Sequence, residues 1–251
     1  MSDHSTMMEA GVRVQINELK VVRFLTAQEE RAKAAGVSIE MSTDFAELQQ
    51  LVDGLEGREP LSPIFDWRKC DVGGENAFWI RGLNDKGDCV LLQAARIDDL
   101  GNKTLAQHIA ENRDLIHTPY FKADTKNSTF DACYHLERIT GRVVYAGETW
   151  IAPNGPYRGG GLASVCSGYA FGLSLLRWRP DYMFGTATHA LMVRGIAAKY
   201  GYYHQHPKGI RWKRGDGDGV VDEWVVWMDL KDLADATNAL ERERPHSAAG
   251  R

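Results

Sequence analysis

Apolar positions along this chain switch between a helical and a strand period, and the switches mark out its elements. Val14, Leu19, Val22 and Leu25 open a helical stretch from Val12 to Ala35, whose first half also reads as a strand, and Gly36 ends it. Val37–Met41 alternates weakly. Ser42, Thr43 and Asp44 then offer caps for a helix Phe45–Leu55, with Phe45, Leu48, Leu51, Val52 and Leu55 on one face and Gly57 as its stop. A loop with Pro60 and Pro63 follows. Ala77–Ile80 and Val90–Leu92 flank Asn84-Asp85-Lys86-Gly87, the composition of a hairpin turn. Leu105–Leu115 reads as a short helix capped by Thr104, and Arg142–Ile151 as a strand broken by Pro153. Leu162, Val165, Tyr169, Leu173 and Leu176 space out a helix over Leu162–Leu176, ended by Pro180. A short strand Asp181–Phe184, a helix to Tyr200, strands Ile210–Lys213 and Glu223–Met228, and a helix Asp229–Arg244 complete the chain. From Ala77 onward this order predicts an α/β fold, a mixed sheet with helices on both faces.

Composition narrows the function classes. Thirty Lys and Arg against thirty-four Asp and Glu leave a net charge of −4 over 251 residues, with a pI near 6.1. Bulk charge therefore gives no reason to expect a nucleic acid or an anionic membrane as partner. At 43% hydrophobic and 25% charged the chain is globular. Cys70, Cys89, Cys133 and Cys166 are scattered, with no Cys-x-x-Cys pair for a zinc or redox site. Met1–Glu9 is polar and lacks the apolar core of a secretion signal, which predicts a cytoplasmic protein. Gly159–Leu176 runs eighteen residues without a charge, but five glycines and three serines favour a helix buried against a sheet over a membrane span.

The stretch that carries chemistry is Thr149-Trp150-Ile151-Ala152-Pro153-Asn154-Gly155-Pro156-Tyr157-Arg158-Gly159-Gly160-Gly161-Leu162-Ala163. A strand ends here, and a glycine turn opens directly into a helix. The first N–H groups of a helix have no partner within it, and its dipole adds partial positive charge. Glycines let phosphate oxygens approach those donors without obstruction by a Cβ, so the turn is built to cradle a pyrophosphate. Without a ligand the same residues are merely a tight strand-to-helix turn. The P-loop is excluded because no lysine follows the glycines. The dinucleotide fingerprint fails because Ser164 stands at its last glycine and no early βαβ unit contains it.

Arg158-Gly159-Gly160-Gly161-Leu162-Ala163 resembles the Arg/Gln-x-x-Gly-x-Gly/Ala signature of the GNAT superfamily of acyl-CoA-dependent N-acetyltransferases. The resemblance spans roughly Tyr145–Leu230 and includes a later helix ending in Lys199-Tyr200-Gly201-Tyr202. It implies a GNAT-like, mostly antiparallel central sheet with helices on both faces, with acetyl-CoA as co-substrate. It further implies that the amides of Gly159, Gly160, Gly161, Leu162 and Ala163 hold the pyrophosphate, with the charge of Arg158 as a further cofactor contact. The strand end at Trp150, Ile151 and Ala152 would pair with the pantetheine arm. The family often carries a tyrosine acid where this chain has Ala197, and an asparagine where it has Ala190. Tyr200, three residues beyond Ala197, is the candidate substitute.

Attack on a thioester needs a neutral amine, so a base close by is useful. Glu148, ten residues before Arg158, is the candidate; the commoner fate of such a residue is to face outward or to be buried against an arginine. Tyr145 and Trp150 are candidates for an acceptor pocket, with core packing the competing reading. His204 and His206, and likewise His135 and Glu137, are two apart but lack a spaced third ligand, so no metal is expected. Asp216-Gly217-Asp218-Gly219 departs from a calcium loop at its fifth position, Val220, and reads as a hairpin turn. The domain expectation is an N-terminal region 1–75, partly an extension, an acyltransferase core 76–245, and a tail 246–251. The activity expected is direct acetyl transfer to a primary amine on a small molecule or peptide, with a homodimer open. Two alternatives stand beside it: an acyl-carrier-protein-dependent N-acyltransferase of the same fold, and a non-catalytic CoA-binding or sensor module.

Overall fold

The computed structural model describes residues 15–117, 119, 121–131, 133–159 and 161–242. Helix α1 (Glu18–Ala34) starts at Asn17, whose side chain accepts from the Lys20 amide. Strand β1 (Val37–Ser42) leads to α2 (Phe45–Gly54), where Asp44 caps the amides of Ala46 and Glu47 as its position implied. This helix ends at Gly54, one residue short of the expected Leu55. A 3-10 turn at Pro63–Phe65 precedes the hairpin β2 (Ala77–Asn84) and β3 (Cys89–Asp99). Then come α3 (Leu105–Glu111), started by a Thr104–Gln107 capping box, and α4 (Arg113–Ile116). Strand β4 (Ala123–Phe130) was not foreseen. Strand β5 (Arg142–Ile151), helix α5 (Leu162–Arg177) and strand β6 (Tyr182–Thr188) form a parallel crossover. The single helix expected after β6 is two, α6 (His189–Met192) and α7 (Ile196–Tyr200), because Gly195 turns left-handed between them. Strands β7 (His204–Arg214) and β8 (Val220–Asp229) are joined through the Asp/Gly turn, and α8 (Leu230–Arg242) follows.

All eight strands share one sheet, in the order β1-β2-β3-β5-β6-β8-β7-β4. Every neighbouring pair is antiparallel except β5 and β6. Alternation along the strands feeds two cores, one on each face. Trp79, Leu92, Tyr145, Phe184, Trp212 and Val225 face α2, the 3-10 turn and α3. Phe78, Ile80, Leu91, Val144, Met183 and Met228 face α1, α5 and α8. The uncharged run foreseen as a buried helix is α5, and two of its glycines have a packing reason. A Cβ at Gly168 would lie 2.8 Å from the Gln28 side chain, and one at Gly172 2.7 Å from Leu25. Their absence lets α1 lie directly across α5. Among the described residues no helix is long and apolar enough to cross a membrane.

Candidate active site

The decisive geometry lies between β5 and β6. They pair only over Val143–Tyr145 and Tyr182–Phe184, although β5 runs on to Ile151 and β6 to Thr188. Beyond that point β5 remains bonded to β3, and β6 to β8. Their facing edges therefore separate, and backbone N–H and C=O groups line the gap. A bulge in β5 accompanies the separation. Leu92 pairs with Trp150 and Ala94 with Gly147, so Glu148 and Thr149 together oppose Gln93 alone. Thr149 Oγ1 donates to Gln93 Oε1 at 3.0 Å, and Glu148 takes a left-handed φ of 58°.

A cavity of about 450 Å³ occupies the gap and is lined from both faces of the sheet. On the face of the α2 core it is lined by Arg58, Glu59, Ser62, Tyr145, Glu148, Trp150 and Glu223. On the α5 face it is lined by Ser167, Ile196, Ala197, Tyr200 and Tyr202. Residues of the N-terminal region thus form one wall.

Glu148 is buried and its two oxygens are both engaged. Oε2 pairs with Nη2 of Arg58, and Oε1 accepts from the Ser62 amide at 3.1 Å. The burial against an arginine weighed in the sequence is therefore what the fold builds. Arg58 also donates from Nη1 to the Glu59 carbonyl, while its buried Nε has no partner among the described residues. Glu223, wholly buried, accepts at Oε2 from the indole N–H of Trp212 at 2.9 Å. Tyr145, whose hydroxyl lies 3.5 Å from Thr186 Oγ1, is held well above the ordinary phenol range, chiefly by burial and further by the charges of Glu223 and Glu148. Burial likewise pushes Tyr200 up to about 12, with Arg158 pulling weakly the other way, and raises Tyr202 beyond the ordinary range.

Gly161 caps α5 in a left-handed conformation (φ 83°) with no side-chain cap on the helix start. Gly159 is left-handed too, and a Cβ on either glycine would meet open space. Gly160 lies outside the described residues. Leu162 puts its side chain into the core beneath the turn, and Ala163 follows in the first helical turn. Arg158 donates through Nε and Nη2 to the Ile151 carbonyl, at 3.2 and 3.1 Å. The Ala152 amide bonds back to Val90 of β3, so the groups of its neighbour Ile151 point the other way, into the gap. Trp150 of the strand end and Arg158 line the cavity, and the glycine turn follows Arg158 directly in the chain.

The fold is the mixed, mostly antiparallel sheet with helices on both faces that the sequence leads one to expect. No family model and no curated protein matches this chain. Among solved structures, NAA60 of Arabidopsis thaliana in complex with acetyl-CoA is 13% identical, covering 78% of this chain and 99% of that one, with a TM-score of 0.46. A GNAT-family acetyltransferase from Streptococcus pneumoniae is 12% identical over 77% of this chain and 99% of that one, at 0.43. A spermidine N-acetyltransferase of Vibrio cholerae, with CoA and spermine, is 8% identical over 79% and 98%, at 0.42. These are weak likenesses of fold, and what each neighbour binds belongs to that neighbour.

Glu223, Arg58 and Ser62 are among the lining residues that escaped the sequence reading. Glu223 had left a signal: in Glu223-Trp224-Val225-Val226-Trp227 it shares the inward parity of Val225 and Trp227, an unusual place for a charge. Arg58 and Ser62 had none, since they reach Glu148 from 90 and 86 residues away. The histidines go to separate partners: His204 bonds Asp232 at 2.8 Å and His206 bonds Asp131 at 3.0 Å. No group of three or more His, Cys, Asp or Glu that could hold a metal occurs among the described residues.

Proposed function

We propose that this chain is an acyl-CoA-dependent N-acyltransferase that moves an acetyl group from acetyl-CoA to a primary amine. The observation that supports it is that Arg158, from which the glycine turn continues in the chain, lines the β5–β6 gap. The residues fit the co-substrate. Gly159 and Gly161 leave open the space a Cβ would fill, so phosphate oxygens can reach the amides at the start of α5. Arg158 adds a charge beside them. At the β5 end from Trp150 to Ala152, it is the Ile151 N–H that turns away from β3 and is offered to an amide-bearing arm. Acetyl-CoA supplies an acyl thioester whose carbonyl carbon is open to direct attack.

The remaining chemistry falls to side chains of the cavity. Tyr200, kept protonated by burial, can give a proton to a departing thiolate from the α5 face. The acceptor enters from the other face, between the Arg58–Ser62 segment and Tyr145. Glu148, held by Arg58, keeps β5 bulged and the gap open. The test is calorimetric titration of CoA, followed by thiol release from acetyl-CoA with amino acids, polyamines, aminoglycosides and peptides. Absence of CoA binding rejects the reading. Binding without turnover of any acceptor leaves a CoA-binding module in its place.

A further inference from the structure

Beside the two main cores the protein has a third, smaller apolar cluster, and this one faces the cavity. Met192, Ala197 and Val226 are buried together, with Ala187, Ile196 and Tyr202 packed against them. All six line the gap between β5 and β6. Ala187 and Val226 share the strand parity of Met183 and Met228, which face α5, and oppose that of Phe184 and Val225, which face α2. Val226 lies opposite Gly185 of β6, which adds no side chain to the wall. Leu191 also lines the cavity and stays 44% exposed. Apolar side chains around a cavity forgo the dispersion contacts that a filled core would give them. Across the gap, on the α2 face, the lining is polar, with Arg58, Glu59, Glu148 and Glu223. The cavity is thus apolar where β6, β8, α6 and α7 meet, and polar opposite.

We propose that this apolar wall holds the acyl chain of the thioester, and that it is built for a short linear chain longer than acetyl, such as propionyl or butyryl, with Ala197 and Val226 setting the room. The inference rests on the transferase reading above and names its acyl substrate. Ala197 and Tyr200 are three apart on α7, and both line the cavity. Tyr200 faces the sulfur in that reading, so Ala197, whose side chain ends at Cβ, faces what the sulfur carries. A cavity of about 450 Å³ falls among sites that hold small molecules. An acetyl group has one methyl to bury. Each added methylene should strengthen binding about fourfold, the equivalent of about 0.8 kcal/mol. Lengthening the chain leaves the polar side free for the amine. Its nitrogen forms the C–N bond as the C–S bond breaks, and the proton it sheds balances the one the thiolate takes up.

The experiment is titration calorimetry of CoA and its acetyl, propionyl and butyryl thioesters into wild type, Ala197→Leu and Val226→Thr, with circular dichroism to confirm folding. The same acyl groups on N-acetylcysteamine, a thiol without phosphates, probe the wall alone. Wild-type affinity should rise about fourfold from acetyl to propionyl, and again to butyryl, in both series. Ala197→Leu fills the space, so it should keep CoA affinity and bind butyryl-CoA roughly tenfold more weakly than wild type. Val226→Thr keeps the shape but sets a hydroxyl on the wall, so the rise should shrink. Equal affinity for acetyl and butyryl thioesters in wild type, or an undiminished rise in both variants, overturns the proposal. If wild type binds no CoA, the transferase reading fails and the N-acetylcysteamine series decides alone. A rise that Ala197→Leu removes then keeps the wall as an acyl site; no binding or no rise rejects it.

Discussion

Glu148 shows how one residue can be poor local chemistry and good tertiary chemistry. A left-handed φ at a non-glycine residue costs about 1–3 kcal/mol and persists only where its surroundings over-determine it. Here Arg58 and the Ser62 amide do so. Glu148→Gln leaves a buried guanidinium without its counter-charge, a loss of about 3–5 kcal/mol on breaking such a pair. Urea denaturation should register that loss, and Arg58→Met added to Glu148→Gln should recover part of it. A double variant no more stable than the single would mean that the pair is not what holds the bulge. The tyrosines give a pH expectation. Burial disfavours the phenolate of Tyr145, Tyr200 and Tyr202, so each keeps its proton in the folded state after the unfolded chain has lost it near about pH 10. Stability from these groups is thus complete below about pH 10 and declines as pH rises above it, since the folded state then binds more protons. Alkaline unfolding should shift to higher pH in Tyr202→Phe, measured by circular dichroism.

Elements with an apolar period were legible in the sequence, and those without one were not. β5 was foreseen at its observed limits, and α5 to within one residue, because apolar spacing and breakers agree there. β4 escaped because Ala123-Asp124-Thr125-Lys126-Asn127-Ser128-Thr129-Phe130 is almost wholly polar. Its place explains that composition: it is the edge strand beyond β7, and a polar edge discourages pairing with other chains. The α1–α5 contact was hidden for another reason, since Gly168 and Gly172 speak for a buried helix but not for its neighbour, and only the fold sets Gln28 and Leu25 against them. Gly172→Ala would set a Cβ 2.7 Å from Leu25 Cδ2, overpacking that costs about 1–3 kcal/mol. Leu25→Ala in the same chain should relieve it, and denaturation of the single and double variants measures the coupling. At the start of α5 the same residue type acts differently. Gly161 has open space around it but a φ of 83°, so Gly161→Val carries backbone strain as well as a side chain facing the phosphate. Gly161→Asn tolerates the left-handed conformation and isolates the steric part. Both should weaken CoA at least tenfold, about 1.4 kcal/mol, with Val the worse of the two.

Over the whole molecule, the cavity is where distant stretches of chain meet, which is why its Trp150–Arg158 side was legible and its Arg58–Ser62 side was not. The turn, the strand end and Tyr200 lie within about one crossover unit, and local pattern reaches that far. The opposing wall joins Arg58 and Ser62 to Glu148 and Glu223, and only the folded sheet brings those together. The same convergence makes ligand binding a report on the fold. A ligand that binds only the native state adds RT ln(1 + [L]/Kd), about 2.7 kcal/mol at a hundredfold excess over Kd. For a chain of this size each kcal/mol raises the melting temperature by about 2–4 °C. CoA at that excess should therefore raise the thermal midpoint by roughly 5–11 °C, by differential scanning calorimetry. The gain should nearly vanish in Gly161→Val and persist in Glu223→Gln, because the first alters the glycine turn and the second the opposite face of the sheet. A shift of equal size in all three proteins would place CoA somewhere other than the β5–β6 gap.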